Sequence, residues 1–314
     1  MAQVPTREGT IPFKIPKYDV PCATYYKIFG DLASAISPLV VVHGGPGAGH
    51  KYLLSFAGLW PRYGIPVVFY DQIGCASSTH LPQTAGDGDF WKESLFLDEL
   101  DNLIDHLGLR GGFHLLGQSW GGMLVGSYAA KRPRGLQRLV IASGLASWEL
   151  SMKGIETRRC ELPEETLQTL RKYEQDGDYD NPEYKEATAM FSKKFVFRDD
   201  QSPPQMLMAG LQNLAADKTV YGTMIGPSIH VPIGSLLGWT SIPGLSQIIA
   251  PTLLYNGEYD TSHDIAQIPY FEHIPKVRWV TFANGGHFCH LEQGLRERVF
   301  TTVGDFLSQG NESH

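Results

Sequence analysis

The sequence predicts an α/β fold in which a doubly wound, mostly parallel sheet carries an inserted helical cap. Short, continuous apolar runs alternate with helix-like segments through residues 1–146, a pattern typical of strands buried on both faces of a parallel sheet. The alternation stops near residue 147, where charged, aromatic and helix-forming residues take over, and it resumes after residue 245. We therefore expect a core of residues 1–146 and 246–314, with residues 147–245 as the cap segment.

Each predicted element follows from a local pattern. The strand-like apolar runs cover residues 39–42, 67–70, 114–116, 139–142, 251–255 and 277–282. Helical spacing of leucine and isoleucine predicts a helix over residues 94–107 that ends at Gly108, and a closing helix is predicted over residues 291–307. Helix formers in the cap segment cluster at residues 162–173, 182–195 and 204–215. The cap should cover the carboxyl ends of the strands, where active sites of such sheets lie.

Composition narrows the classes of function. The chain of 314 residues has 26 Lys and Arg against 33 Asp and Glu, a net charge of -7, and no basic cluster. This balance argues against nucleic acid or an anionic membrane as a partner and favours a small-molecule substrate. The apolar runs are strand-sized, too short to span a membrane. The sequence gives no indication of an oligomeric state.

The termini and cysteines carry two further expectations. Residues 1–20 include several charged side chains and no apolar h-region, so we expect no secretory signal and a cytoplasmic protein. The four cysteines, Cys22, Cys75, Cys160 and Cys289, are scattered without metal-ligand spacing. They are therefore interpreted as reduced thiols, and no metal site is predicted.

The G-Q-S-W-G string at residues 117–121 predicts a nucleophilic serine, Ser119. It stands between an apolar run and a helix-compatible stretch, as does the nucleophile elbow of an α/β-hydrolase fold. In such an elbow the backbone passes too close to its neighbours for side chains two residues before and after the serine. Gly117 and Gly121 meet that requirement.

Two further residues complete a candidate catalytic triad. In this fold the acid follows a late strand and the histidine follows the last one. Asp260 comes after the apolar run at 251–255, and His287 lies in a glycine-rich turn after the run at 277–282. His263, His290 and Asp264 lie nearby but fit these positions less well.

Two backbone amides are predicted to form the oxyanion hole. The amide of Trp120 adjoins the nucleophile, which is the usual place for one donor. The second donor is expected from Gly45, in the H-G-G-P-G string at residues 43–47 that follows the first central strand. Glycines leave this amide unscreened, and Pro46 stiffens the turn.

These motifs resemble those of the proline iminopeptidases, also called prolyl aminopeptidases, and of the related tricorn-interacting aminopeptidases. The resemblance includes the strings at residues 43–47, 70–75, 117–122 and 257–260, continues through the cap segment, and spans about residues 20–308. It implies an α/β-hydrolase fold, the triad Ser119, Asp260 and His287, and an oxyanion hole of Gly45 and Trp120. It implies no metal and no organic cofactor.

Two departures from the family pattern bear on specificity. Family aminopeptidases hold the free amine of the substrate with one carboxylate from a G-P-[SN]-E-F string in the cap and one directly after the triad aspartate. Here those positions hold Ile229 and Thr261. A buried ammonium without a counter-ion is costly, so we expect weak binding of N-terminal amines. Glu149 and Glu156 are the candidates for a substitute carboxylate.

The sequence therefore predicts a serine hydrolase that acts through an acyl-enzyme on an ester or amide bond of a small, largely apolar molecule. Ile229, Thr261 and Trp148 are the predicted substrate-binding residues. Asp71 and His43 are interpreted as structural, because both lie at strand ends in motifs that shape loops. The alternatives are a prolyl aminopeptidase or amino-acid amidase, a lyase, cyclase or acyl transferase on the same fold, and a catalytically silent binding protein.

Overall fold

One eight-stranded sheet forms the centre of the computed structural model, which describes residues 7–16 and 18–309. The strands follow the order β1-β2-β4-β3-β5-β6-β7-β8. The β1–β2 and β2–β4 pairs are antiparallel and the other neighbouring pairs are parallel. Their bounds are β1 Arg7–Phe13, β2 Cys22–Phe29, β3 Leu39–Val42, β4 Val67–Asp71, β5 Phe113–Gln118, β6 Leu136–Ala142, β7 Thr252–Gly257 and β8 Val277–Phe282. The predicted doubly wound, mostly parallel fold is confirmed.

Helices cover both faces of the sheet. They are α1 Leu59–Tyr63, α2 Glu93–His106, α3 Trp120–Ala130, α9 Asp264–His273 and α10 Arg296–Ser308, with 3-10 helices at Lys51–Gly58, Pro82–Thr84, Leu109–Gly111 and Ile242–Gln247. Alternate residues of β3 belong to two core clusters: Val40 and Val42 share one with residues of α2 and α3, and Leu39 and Val41 share the other with residues of α10. Burial on both faces explains the continuous apolar strand runs.

The cap segment, residues 147–245, lies between β6 and β7 and is mainly helical. It contains α4 Trp148–Arg159, α5 Glu164–Asp176, α6 Pro182–Phe195, α7 Gln205–Ala216 and α8 Thr219–Met224. Helices α4, α5 and α6 share a small apolar cluster that includes Ile155, Leu170 and Phe191. Helix α7 packs against the 3-10 helix Lys51–Gly58 of the core.

The structure differs from the sequence prediction at two places. The pattern did not reveal β1 and β2, because neither contains a continuous buried apolar run: burial alternates along most of β2, and the first four residues of β1 are exposed or half-buried. The closing helix begins at Arg296, so the predicted start at residue 291 is wrong. Before it, the Glu292 carboxylate accepts hydrogen bonds from the amides of Gly286 and Arg198, which holds the preceding residues in turns.

Within residues 7–16 and 18–309, no helix is long and apolar enough to cross a bilayer. The sequence analysis predicts no secretory signal in residues 1–20. Residues 1–6 and Lys17 of that stretch lie outside the described residues.

Candidate active site

Ser119 occupies the sharp turn between β5 and α3. Its backbone has φ 57° and ψ −120°, a conformation that non-glycine residues rarely adopt and that costs on the order of 1–3 kcal/mol. The flanking glycines permit the turn, since a Cβ at Gly117 would lie 2.0 Å from the Gly121 carbonyl oxygen. A Cβ at Gly121 would lie 2.2 Å from the Val42 carbonyl oxygen. The turn therefore presents the serine hydroxyl at the carboxyl edge of the sheet.

The loop after β3 places Gly45 beside this turn. Gly45 has φ +113°, and a Cβ there would lie 2.6 Å from the Gly47 nitrogen, so only glycine fits. Within the described part of the chain, no acceptor takes a hydrogen bond from the amides of Gly45 or Trp120. Both residues line the same cavity as Ser119. Two unpaired amides beside the predicted nucleophile Ser119 are suited to binding an oxyanion.

Gln72 connects the Gly45 loop to the nucleophile turn. Its side-chain amide donates to the His43 carbonyl oxygen at 2.8 Å and accepts from the indole nitrogen of Trp120 at 2.8 Å. Its backbone amide donates to His43 Nε2 at 3.0 Å, while His43 Nδ1 lies 2.9 Å from the Gly44 carbonyl oxygen. Burial lowers the pKa of His43 to about 4, so the ring is neutral and serves as a structural link.

Asp260 and His287 form a hydrogen-bonded pair at the ends of β7 and β8. His287 Nδ1 lies 2.7 Å from Asp260 Oδ1, and the carboxylate is fully buried. The backbone amide of Ser262 donates to the same oxygen at 2.7 Å. Because Oδ1 accepts from both groups, Nδ1 carries a proton, and in the neutral ring Nε2 keeps its lone pair.

Gln118 contacts the other side of the His287 ring. Tyr52 accepts a hydrogen bond from the Gly44 amide at 2.6 Å, so its hydroxyl proton goes to Gln118 Oε1 at 2.7 Å. This orients the Gln118 NH₂ group toward His287, 3.3 Å from Nε2 and 3.3 Å from the carbonyl oxygen. The ring is thus contacted from both sides, and the Gln118 NH₂ group faces the Nε2 lone pair of the neutral ring, the form in which a histidine can act as a general base.

The remaining candidates from the sequence have other contacts. His263 accepts from the Ile265 amide at 3.1 Å at the start of α9, and Asp264 accepts from Asn256 at 2.8 Å. His290 is buried, and its ring stacks on Phe56 with centroids 5.7 Å apart. Asp71, also buried, accepts from the backbone amide and ring of His50 at 2.8 and 2.7 Å. None of these residues lines the cavity of Ser119.

A cavity of about 920 Å³ lies over Ser119, at the upper end of the range for small-molecule sites. Its lining includes Ser119, His287 and all three predicted substrate-binding residues, Ile229, Thr261 and Trp148. Most other lining side chains are apolar and come from the cap segment, among them Leu207, Leu211, Leu214, Ile225 and Ile233.

The cavity offers little charge to a ligand: apart from histidine rings, the charged side chains of its described lining are Asp180 and Lys218, and both are exposed. Among its described lining residues the only carboxylate is Asp180, which is fully exposed and lies 3.0 Å from Lys185 Nζ. Burial, with a smaller contribution from Arg159, lowers the pKa of the lining residue His230 to about 3, so this ring is neutral. The candidate substitute carboxylates do not line the cavity: Glu149 pairs with Lys153 at 2.7 Å and Glu156 with Arg171 at 2.7 Å, both on the surface.

Several residues of this site are missing from the sequence prediction. Gln72 and Gln118 stand inside motifs that the sequence analysis identifies, so their position was a usable signal. Tyr52 stands in no such motif. Within the part of the chain that the structure describes, no cluster of three His, Cys, Asp or Glu side chains is placed to bind a metal ion.

Comparison with known proteins agrees with this fold. Residues 37–293 match the model of the alpha/beta hydrolase fold family. The chain is 31% identical over 274 residues to a proline iminopeptidase from Lactobacillus delbrueckii subsp. lactis, covering 87% of this chain and 91% of that one.

Two solved structures are similar over nearly their whole length. VinJ superposes with a TM-score of 0.90 at 38% identity, covering 97% of this chain and 99% of VinJ. A proline iminopeptidase from Mycobacterium smegmatis has a TM-score of 0.86 at 35% identity, covering 96% and 98% of the two chains. The chain is therefore a hydrolase that belongs to the proline iminopeptidase family of the alpha/beta hydrolase fold.

Proposed function

We propose that this enzyme hydrolyses an ester or amide bond in a small, largely apolar and uncharged molecule through an acyl-enzyme on Ser119. Ser119 Oγ attacks the carbonyl carbon while its proton passes to His287 Nε2, and Asp260 stabilises the imidazolium that forms. The amides of Gly45 and Trp120 donate to the oxyanion. The proton then passes to the leaving oxygen or nitrogen, and water repeats these steps to free the acid.

The observation that carries this proposal is the lack of a buried carboxylate among the described residues of the cavity lining. Ile229 and Thr261 occupy the sequence positions at which family aminopeptidases have their amine-binding acids, and both line the cavity. Burying an unpaired ammonium costs on the order of several kcal/mol. Exposed Asp180, paired with Lys185, offers only a weak, solvent-screened contact.

Prolyl aminopeptidase activity is the second candidate, because the similar proteins carry that name. On this chain it would require an amine site of a different kind. Among the described lining residues, Asp180 is the one carboxylate that such a site could use, and its side chain is fully exposed.

A comparison of matched substrates separates the two candidates. We expect p-nitrophenyl esters of apolar acids and N-acetylprolyl naphthylamide to be hydrolysed with a higher kcat/KM than prolyl naphthylamide with a free amine. Two missing charge-assisted contacts at about 1.5 to 3 kcal/mol each correspond to two or more orders of magnitude. A strong preference for the free amine would contradict the proposal and favour the aminopeptidase.

The double variant Ile229→Glu, Thr261→Glu tests whether those two positions decide the preference. Restoring two carboxylates should raise kcat/KM for prolyl naphthylamide and lower it for the N-acetylated substrate. Ile229→Gln with Thr261→Gln is the control, since it adds polar side chains of the same size without charge. An equal gain in both double variants would show that charge is not the cause.

Labelling with a fluorophosphonate probe tests the nucleophile independently of the substrate. The probe should modify the unsubstituted enzyme and should not modify Ser119→Ala. Label on a different serine, with hydrolysis retained in Ser119→Ala, would refute the assignment of Ser119.

A further inference from the structure

Arg158, on α4 of the cap segment, is buried against the loop that carries Asp260, although it does not line the cavity. Its Nε donates to the Asp260 carbonyl oxygen at 3.1 Å, and its Nη2 donates to the Glu258 carbonyl oxygen. Its Nη1 donates to Glu161, one turn further along the cap segment, at 2.8 Å. One side chain of the cap segment thus donates two hydrogen bonds to the backbone of the loop that carries Asp260.

The loop that carries His287 also forms hydrogen bonds with the cap segment. The backbone amides of His287 and Phe288 donate to the carbonyl oxygens of Phe195 and Val196, both at 3.0 Å. The buried Glu292 carboxylate accepts from the Arg198 amide at 2.9 Å and the Gly286 amide at 3.1 Å. The loops of the acid and of the base therefore both depend on contacts with the cap segment.

We propose that Arg158 is a positioning residue that sets the place of Asp260, so that packing of the cap segment on the core completes the triad. The guanidinium is planar and donates in a fixed fork, so two carbonyl oxygens of one loop can be held at a defined separation. A buried guanidinium needs all its partners, because an unpaired donor is costly. Loss of this fork leaves the Asp260 loop without the two hydrogen bonds that Arg158 donates from α4.

The position of Asp260 matters because its carboxylate orients His287 through a single 2.7 Å contact. The two loops also touch directly: a Cβ at Gly257 would lie 2.3 Å from the Gly285 carbonyl oxygen. A shift of the acid loop by about 1 Å changes the ring orientation, and displacements of that size cost about 100-fold in rate.

The test is the rate at which a fluorophosphonate modifies Ser119, measured in the full chain with Arg158→Met. Methionine fills part of the buried space without donating hydrogen bonds. We expect the second-order labelling rate and kcat for a p-nitrophenyl ester to fall about 100-fold, while KM stays close to that of the unsubstituted enzyme. The inference rests on the proposed triad, but this readout does not depend on the natural substrate. Loss of label in Ser119→Ala tests the triad separately.

Arg159→Met is the matched control. Arg159 is the neighbouring residue, is equally buried, and donates both Nη groups to Glu174 on α5, at 2.9 and 2.7 Å. These contacts lie inside the cap segment and touch neither triad loop. Its loss should lower the melting temperature of the protein while leaving the labelling rate nearly unchanged. Equal losses of labelling in the two variants would overturn the positioning role.

Two further measurements separate positioning from general damage. Arg158→Lys retains the charge but cannot span two carbonyl oxygens as a fork, so it should fold and still label several-fold more slowly than the unsubstituted enzyme. Guanidinium at a low, non-denaturing concentration should restore labelling in Arg158→Ala, whereas urea, which is planar but neutral, should restore less. Full labelling rates in folded Arg158→Lys and Arg158→Met would refute the inference.

Discussion

At the scale of single residues, the catalytic assignment depends on distinguishing His287 from His290, three residues apart in one turn. His287 lines the cavity and pairs with Asp260 through Nδ1. His290 is packed among the rings of Tyr52, Phe56 and Phe288, and burial lowers its pKa to about 3. A ring in that setting stays neutral at physiological pH and has no access to a substrate.

Alanine at the two positions should therefore have opposite effects on catalysis and stability. His287→Ala should reduce kcat by about 10⁴-fold or more, because the proton of Ser119 then has no acceptor. His290→Ala should retain most of kcat and lower the free energy of unfolding, since it leaves a cavity in an aromatic cluster. Steady-state kinetics with one ester and urea unfolding curves measure both quantities. Loss of kcat in His290→Ala alone would show that the wrong histidine has been assigned.

At the scale of secondary structure elements, the strand-turn-helix unit of β5 and α3 depends on backbone contacts that exclude side chains. Gly121, in the first turn of α3, packs so closely against the end of β3 that no side chain fits beside the Val42 carbonyl oxygen. The contact brings the nucleophile turn next to the Gly45 loop, which also starts at the end of β3.

Gly121→Ala should separate these two elements. The added methyl group would lie 2.2 Å from the Val42 oxygen, so the backbone has to move. Such overpacking costs about 1–3 kcal/mol, and we expect lower stability together with slower labelling of Ser119. Gly111→Ala is the control, because a Cβ there meets nothing within 4 Å and its φ is ordinary. If the two alanine variants match in melting temperature and labelling rate, the close packing is not essential.

At the scale of the whole molecule, several buried ionisable groups couple stability to pH. Burial lowers the pKa of His43 and His114 to about 4 and that of His290 to about 3. The unfolded chain binds these protons near pH 6.5, so stability is present above that pH and is lost as the pH falls toward 4. Burial also raises the pKa of Glu99 to about 8. This carboxyl group makes the free energy of unfolding rise as the pH falls from 8 to 4.5, which offsets the contribution of about one histidine.

Urea unfolding between pH 7 and pH 4.5 should therefore show a falling free energy of unfolding. Each buried histidine contributes up to about 1.4 kcal/mol per pH unit. His114→Leu should flatten the curve by that amount, because it removes one ring that binds a proton only when the chain unfolds. Neither nitrogen of His114 has a hydrogen-bond partner among the described residues, so the substitution breaks no such contact. His273→Leu, at the exposed end of α9, serves as the control. An unchanged slope in His114→Leu would contradict the assignment of this effect to the buried ring.

The sequence by itself determined the parts of the protein that depend on short stretches of chain. Short apolar runs predicted the strands from β3 to β7, because burial on both faces leaves a local signature. The sequence also predicted β8, although this strand includes Arg278 and Thr281 and is mostly half-buried or exposed. The elbow was also readable, since the glycines around Ser119 are required by contacts of the turn itself. The order of Ser119, Asp260 and His287 along the chain followed from the topology that those strands predict.

The tertiary structure alone decided the contacts between residues far apart in the chain. Arg158 and Asp260 are 102 residues apart, and Tyr52 and Gln118 are 66 apart, so no local periodicity connects them. The cavity lining likewise depends on how the helices of the cap segment pack over Ser119. Packing of side chains from separate elements is set by shape and by the pairing of buried polar groups, and this is why the positioning of the acid by Arg158 had no signal in the sequence.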